Sequence, residues 1–294
     1  MTSEVGGRCL SISNRDKVFW PATGFTKGQL IDYYEAVADV MVAHLRGRPI
    51  TLRRWPDGIE GQTFFQKNAP RHRPDWVDTV RLGDVDYLRI DEPAALVWAA
   101  NLAAIEIHPG LAAAPHLERP TAVVFDLDPG APADILTCCR VAQILRRYLD
   151  RLGLAAWPKT SGSKGLQLYV PLNSDTTYES THPFALALAH LAESEHPDLV
   201  VSVVERSQRR NKVLIDWAQN APSRTTVAAY SMRARERPSV STPVTWEEID
   251  AALERDDAGL LRFGPDAVLD RIGRHGDLMA PVLEVRQELP ALRT

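Results

Sequence analysis

Apolar positions recur along the chain with two different periods, and the longer period marks the helices. Thr26 with Gln29 forms a capping-box pair, after which Leu30, Tyr33, Tyr34, Val37, Val40, Met41 and His44 follow helical spacing until Gly47 closes the segment. A second helix is predicted from about Pro93 to Ile107, and a third from about Ala133 to Leu152, with Gly153 behind it. A fourth starts near Pro183, where proline suits a first helical turn, and a fifth begins at Thr245, whose partner Glu248 makes another capping box. Between them lie short β-like runs: Ile50 to Arg54, Thr121 to Asp126, Gln167 to Val170, Val200 to Val204, Val213 to Trp217 and Thr226 to Tyr230. Short strands mixed with helices imply an α/β or α+β layered domain.

Composition narrows the class. The chain has 294 residues, 45% hydrophobic and 24% charged, enough to bury a full core without disulfide staples. Its three cysteines, one isolated and two adjacent at Cys138 and Cys139, suit neither a zinc site nor a bridge framework, so a reducing, cytoplasmic setting is expected. No apolar run reaches the ~20 residues that span a bilayer, and the N-terminus lacks a basic start before an apolar stretch. The net charge of −4 argues at first against nucleic acid. Counted by segment, however, 1–75 carries +3 and 204–237 carries +5, while 76–203 carries −7 and 238–294 carries −5. Two basic stretches on an acidic body allow local, salt-sensitive DNA binding.

Five strings carry candidate chemistry. In Thr121-Ala-Val-Val-Phe-Asp-Leu-Asp-Pro-Gly130, four apolar residues predict a buried strand. Side chains alternate along a strand, so Asp126 and Asp128 share a face and offer oxygen donors to a hard divalent cation; a turn opened by Asp128 is the alternative. In Lys212-Val-Leu-Ile-Asp-Trp217, Asp216 interrupts an otherwise buried strand, where an unpaired carboxylate is costly and needs either a metal or an arginine. Three such carboxylates can hold the two cations of nucleotidyl transfer. The loop Lys159-Thr-Ser-Gly-Ser-Lys-Gly165 exposes backbone N–H groups beside Lys164 and could cradle a triphosphate, although Ser/Gly loops are common and this one is not a P-loop. After Tyr230, the alternating Arg233 and Arg235 could grip phosphate, the ordinary alternative being an exposed charge run. Near the N-terminus Asn14, Lys17 and Lys27 flank a Trp-Pro-Ala-Thr-Gly turn, and Arg53, Arg54, Phe64, Phe65 and Lys67 combine cations with aromatics. That is the chemistry of stacking on bases, with a core Phe-Phe pair as the other reading.

Read together, Asp-Lys-Val-Phe-Trp-Pro-Ala-Thr-Gly-x-Thr-Lys (16–27), Arg-Trp-Pro-Asp-Gly (54–58), Phe-Phe-Gln-Lys (64–67), Val-Phe-Asp-Leu-Asp-Pro-Gly (124–130), Thr-Ser-Gly-Ser-Lys-Gly-Leu (160–166), Asp-Trp-x-Gln-Asn (216–220) and Tyr-Ser-x-Arg-x-Arg (230–235) resemble the polymerase domain of bacterial ligase D. The resemblance runs from about residue 11 to 280. It implies a primase-polymerase fold of the archaeo-eukaryotic primase superfamily, an α/β (α+β) architecture whose catalytic lobe has an RNA-recognition-motif-like sheet packed on an N-terminal α/β lobe. Residues 1–10 would be a flexible lead-in, and 11–294 a single domain of two lobes with an acidic helical C-terminal segment. By the same likeness Asp126, Asp128 and Asp216 are catalytic and bind two Mn²⁺ or Mg²⁺ ions. Ser161, Lys164 and Arg233 contact the incoming NTP or dNTP, with Arg53 and Gln219 nearby. Phe64 lies under the base with Phe65 beside it, His108 lies near the sugar, and Asn14, Lys17 and Lys27 recognise the 5′-phosphate of a gap or break.

The implied activity is metal-dependent, DNA-directed nucleotidyl transfer in non-homologous end joining, filling gaps or ends with a preference for ribonucleotides. The setting would be the bacterial cytoplasm at the nucleoid, with no membrane. The length suits one such domain and leaves no room for a ligase, so Ku and a ligase would act in trans. The family motif ends in histidine where this chain has Gln167, which cannot carry an imidazolium's charge beside a phosphate. His-Pro-Gly-Leu also replaces the family's pattern after His108. Gln167 motivates an alternative reading, a DNA-end or gap-binding module with weakened catalysis that recognises 5′-phosphate. A haloacid-dehalogenase-type phosphatase, with Asp126 as nucleophile, explains neither Asp216 nor the N-terminal lysines.

Overall fold

Helix boundaries follow the capping chemistry. The computed structural model describes residues 2–290, so Met1 and the last four residues of the expected C-terminal segment lie outside it. Thr26 caps the helix Lys27–Ala36 through a complete capping box, Thr245 does the same for Trp246–Glu254, and Asp134 opens Ile135–Arg151. Each such cap stabilises its helix by about 1 kcal/mol. The first predicted helix divides at Val37, whose α-region backbone ends one helix and opens Ala38–Leu45. Proline does not start the fourth helix, which runs Tyr178–Glu195 with Pro183 inside it.

One difference bears on the chemistry. The helix expected to reach Ile107 stops at Asn101; Ala103 turns the chain with φ +64°, and Ala104–Pro109 is a strand. Ile105 and Ile107 are fully buried and alternate with Glu106 and His108, a period of two that the apolar run before it conceals. Thr226–Tyr230, expected as a strand, is irregular, and Val200–Val201 ends early because Val203 and Val204 stand exposed.

The described chain forms two compact units of mixed α/β structure. Among the described residues the first comprises 2–115, 225–241 and 263–276. Residues 2–10, within the expected flexible lead-in 1–10, join Ser11 here in a hairpin of Thr2–Val5 and Arg8–Ser11 that buries Val5 and Leu10. Ile50–Arg54 is the hub of this unit's five-stranded sheet, pairing with Phe64–Gln66, Val85–Leu88 and Ala104–Pro109. Trp20, Leu30, Tyr34, Met41 and Leu52 lie in its core.

The second unit, 116–224, 242–262 and 277–290, holds a five-stranded sheet. Its order is Trp157–Thr160, Leu166–Pro171, Ala122–Pro129, Val213–Asp216 and Val200–Val201. All neighbours are antiparallel except the last pair. The helices Ile135–Arg151 and Tyr178–Glu195 pack on this sheet and on each other. Val123, Phe125 and Leu127 of the central strand are completely buried. No helix among the described residues is long and apolar enough to cross a membrane.

Candidate active site and nucleotide interface

Strand register in the second unit creates a polar row that runs straight across four strands. Lys159 pairs with Gln167, Gln167 with Asp126, and Asp126 with Asp216. Directly opposed residues in neighbouring strands share a face with Cβ atoms about 5 Å apart, so these four side chains are consecutive neighbours. Their hydrogen bonds follow the same order. Buried Lys159 donates from Nζ to Gln167 Oε1 at 2.5 Å, and the Gln167 amide bonds in turn to the Asp126 carboxylate. Asp216 is held from its other side: Gln219 Nε2 donates to Oδ2 at 2.7 Å and the Ala218 amide to Oδ1 at 3.2 Å. Asn220, completely buried, closes the arrangement by bonding both the N–H and the carbonyl of Val124.

Burial is the main force on the Asp126 carboxyl and, with the neighbouring Asp216 and Asp128 charges, pushes it up to about 6; the Gln167 hydrogen bond and Lys159 charge oppose the rise. Two adjacent carboxylates of this kind suit a divalent cation, which offers them oxygen coordination and removes their repulsion. Asp128, two residues along the same face, is turned onto Arg209 with Nη1 at 3.3 Å. Among the described residues no three acidic, histidine or cysteine side chains close around one point. The residue types and the Asp126–Asp216 register nonetheless fit the cations that the resemblance implies, with Arg209 standing as the positive partner of Asp128. Sequence reasoning did not single out Arg209 or Lys159; nothing local distinguishes them from other basic residues.

The Ser161–Gly165 loop lies against the aspartate strand. Ser161 N–H donates to the Gly165 carbonyl at 2.9 Å, and its Oγ accepts from Gly165 N at 3.1 Å and Ser163 N at 3.3 Å. Gly162 takes φ +66°, and Lys164 is exposed at the tip. A Cβ on Gly165 would sit 2.2 Å from the Leu127 carbonyl, and one on Gly130 only 1.9 Å from that of Arg209. Both motif glycines are therefore required by close backbone approach.

The first unit gathers a different set. Arg53 pairs in register with Phe65 on one side and Glu106 on the other. Its guanidinium lies 4.7 Å from the Trp55 ring and 5.0 Å from Phe65, and Phe65 meets His108 edge-on at 5.9 Å. Phe64 points to the opposite face, under Arg54 at 5.2 Å. Both phenylalanines are exposed, 43% and 59%, which removes the reading of a core pair. Arg233, on the short strand Met232–Arg233, forms an ion pair with Glu106 at 3.1 Å. Glu106 went unnoticed in the sequence because it fell inside the expected helix.

Asn14, Lys17 and Lys27 also converge. Lys17 N–H donates to Asn14 O and Lys27 N–H to Lys17 O. Lys17 Nζ holds Asp57 and the Pro56 carbonyl, both at 2.7 Å. Lys27 is buried and donates to Ser13 O, Ser13 Oγ and Asn101 Oδ1. Burial first, then the charges of Lys17 and Arg54, lower its ammonium to about 8.

The chain is similar along nearly its whole length to known proteins. Residues 26–279 match the family described as LigD, primase-polymerase domain. The multifunctional non-homologous end joining protein LigD of Mycolicibacterium smegmatis is 40% identical over 278 residues, 92% of this chain. The bifunctional LigD of Bacillus subtilis is 32% identical over 91% of it. The chain spans only 36% and 43% of these two relatives' lengths. The polymerase domain from Mycobacterium tuberculosis ligase D, solved in complex with DNA, superposes with a TM-score of 0.86 at 39% identity, covering 95% of this chain and 99% of that one.

Proposed function

The chain belongs to the LigD primase-polymerase family, and from that premise we propose that it is a DNA-directed nucleotidyltransferase that fills gaps and ends during break repair. The observation that carries this reading is the opposition of Asp126 and Asp216 across adjacent strands, beside a Ser-Gly-Ser-Lys-Gly loop packed on the same strand.

Asp126, Asp128 and Asp216 are the residues that would hold Mn²⁺ or Mg²⁺, and Gln219 and the Ala218 amide fix the Asp216 rotamer. The chemistry supplied by bound cations is polarisation of the primer 3′-hydroxyl and offsetting of charge at the α-phosphate and departing pyrophosphate. The 3′-hydroxyl loses its proton to solvent as its oxygen forms a bond to the α-phosphorus, the α–β bridging bond breaks, and its electron pair leaves with pyrophosphate. Lys164 and the loop around Ser161 bind the phosphate tail, and Arg233 serves the nucleotide with Arg53 and His108 of its own unit. His108 serves the sugar and Phe65, on the same face, the base, with Arg53 backing Phe65, while Phe64 stacks with Arg54 on the opposite face of the strand. Gln167 does not replace the family histidine's charge; it ties buried Lys159 to Asp126 instead. Ribonucleotides are the favoured substrate, and Ku and a ligase supply end holding and sealing at the bacterial nucleoid.

The test is extension of a primer across a short gap carrying a downstream 5′-phosphate, with Mn²⁺ and ribo- or deoxynucleotides. Templated addition, faster with ribonucleotides, is expected. Tight binding to the phosphorylated gap without any extension would make the chain a binding module instead.

The 5′-phosphate role of Lys27 has its own pH signature. Its ammonium is charged below about 8 and neutral above it, while a phosphate monoester stays fully ionised throughout that range. Preference for 5′-phosphate over 5′-hydroxyl gaps should therefore drop roughly threefold to tenfold between pH 7 and pH 9. Fluorescence anisotropy on the two DNAs measures it, and a flat ratio would remove Lys27 from the phosphate site.

A further inference from the structure

Glu106 is a 1% exposed carboxylate enclosed by groups that the proposed function assigns to the nucleotide. Its Oε2 accepts from His108 Nε2 at 3.0 Å and faces Arg53 Nη1 at 3.5 Å. Oε1 faces Arg233 Nε at 3.1 Å and accepts from the Ala234 amide at 3.3 Å. Burial alone would raise such a carboxyl, but the His108 hydrogen bond and the charges of Arg233 and Arg53 bring it down to about 2. It is therefore an anion at any working pH, and the His108 nitrogen facing it must carry the proton.

Three side chains from three separate segments meet on this one group. Arg53 comes from the hub strand Ile50–Arg54, His108 from the strand Ala104–Pro109, and Arg233 from the hairpin with Ser239–Val240. Without an anion among them, two guanidiniums would repel each other and turn toward solvent. A buried ionic cluster is weak support for stability, since apolar residues of similar volume commonly serve as well. What a carboxylate supplies that an apolar residue cannot is orientation. It engages Arg53 through one terminal nitrogen and His108 through Nε2 alone, so the Arg53 plane and the His108 Nδ1 edge are held in set directions.

We propose that Glu106 is a positioning residue for the nucleotide: its carboxylate holds Arg53, His108 and Arg233 in their binding orientation and so sets nucleotide affinity. The inference rests on the reading that these three residues serve the nucleotide. Aligned groups bind without first being ordered, so the effect belongs in affinity more than in the chemical step.

The test compares the wild type with Glu106→Gln and Glu106→Asp. Glutamine keeps the shape but turns an amide NH₂ toward nitrogen donors, whereas aspartate keeps the charge and withdraws it by one methylene. In primer extension, E106Q should raise the nucleotide KM roughly tenfold or more while kcat stays within about threefold. The Kd for ATP with Mn²⁺, read by calorimetry without DNA, should weaken in parallel, and E106D should recover most of both. A purely structural role would lower the folded fraction, reducing kcat per mole of protein with KM unchanged; that outcome, or an unchanged Kd in folded E106Q, overturns the proposal. If E106Q does not fold, E106D decides: KM and Kd should rise roughly threefold, and wild-type values would overturn the proposal. A wild type that binds ATP but extends no primer defeats the polymerase reading and leaves the Kd comparison to judge Glu106. A wild type that binds no nucleotide defeats both.

Discussion

Asp126→Asn is expected to abolish nucleotide addition while raising the thermal midpoint of the metal-free protein at pH 7.5. The two effects have one cause. Asp126 stands opposite Asp216 with burial and like charge pushing its carboxyl up to about 6, against roughly 3.9 in an unfolded chain. Above pH 6 the folded state holds an ionised carboxylate at a cost of roughly 3 kcal/mol, a cost that shrinks as pH falls through 6 and vanishes below the unfolded value. Asparagine has no such cost, so in EDTA the variant should melt higher than the wild type at pH 7.5 and match it near pH 4. Cations would reverse the order, because they bind and stabilise the wild type alone. Addition should fall by about three orders of magnitude or more, as expected when a group holding the catalytic ions loses its charge. Primer extension and melting curves with and without Mn²⁺ check both halves; a variant that melts lower than the wild type in EDTA at pH 7.5 would show that Asp126 is a structural acid.

Gly165→Ala should damage both stability and nucleotide binding. The added methyl would lie 2.2 Å from the Leu127 carbonyl, closer than non-bonded atoms approach, so either the loop or the strand must move. The strand is pinned on both sides, with Leu127 paired to Leu166 and to Ile215, and it carries Asp126 and Asp128 on either side of that residue. The loop is closed by the Ser161–Gly165 hydrogen bonds, so moving Gly165 displaces Ser161 and Lys164 with it. Overpacking of this kind costs about 1–3 kcal/mol, and about 2–4 °C of melting temperature accompanies each kcal/mol in a chain of this size. The nucleotide KM should rise roughly tenfold, since a shift near 1 Å in a binding loop has effects of that order or larger. Melting curves and steady-state extension measure these, and wild-type values for both would mean that the close approach is not needed.

Local signals were sufficient for much of this protein. Capping boxes at Thr26 and Thr245 place two helix starts to the residue, and the strand Ile50–Arg54 has its expected limits. The Asp-x-Asp pair, Asp216, the Ser/Gly loop and the ordered basic motifs identify the family from the chain alone, because each is a short string whose chemistry does not depend on its surroundings. The strand Ala104–Pro109 was concealed because the apolar run of the helix before it extends the helical period past Ala103, where the backbone turns. With that strand unseen, the place of Glu106 among Arg53, His108 and Arg233 could not be inferred.

What only the tertiary structure decided is which residues become neighbours. Lys159, Gln167, Asp126 and Asp216 form one row because four strands align in a particular register, and register is a relation between segments far apart in the chain. A slip of one residue in any of these strands would turn that strand's member of the row to the other face. The sequence by itself determined the donors, the glycines and the family; burial and register determined that Gln167 links a buried lysine to an aspartate, that Arg209 faces Asp128, and that one buried glutamate gathers three groups from separate strands.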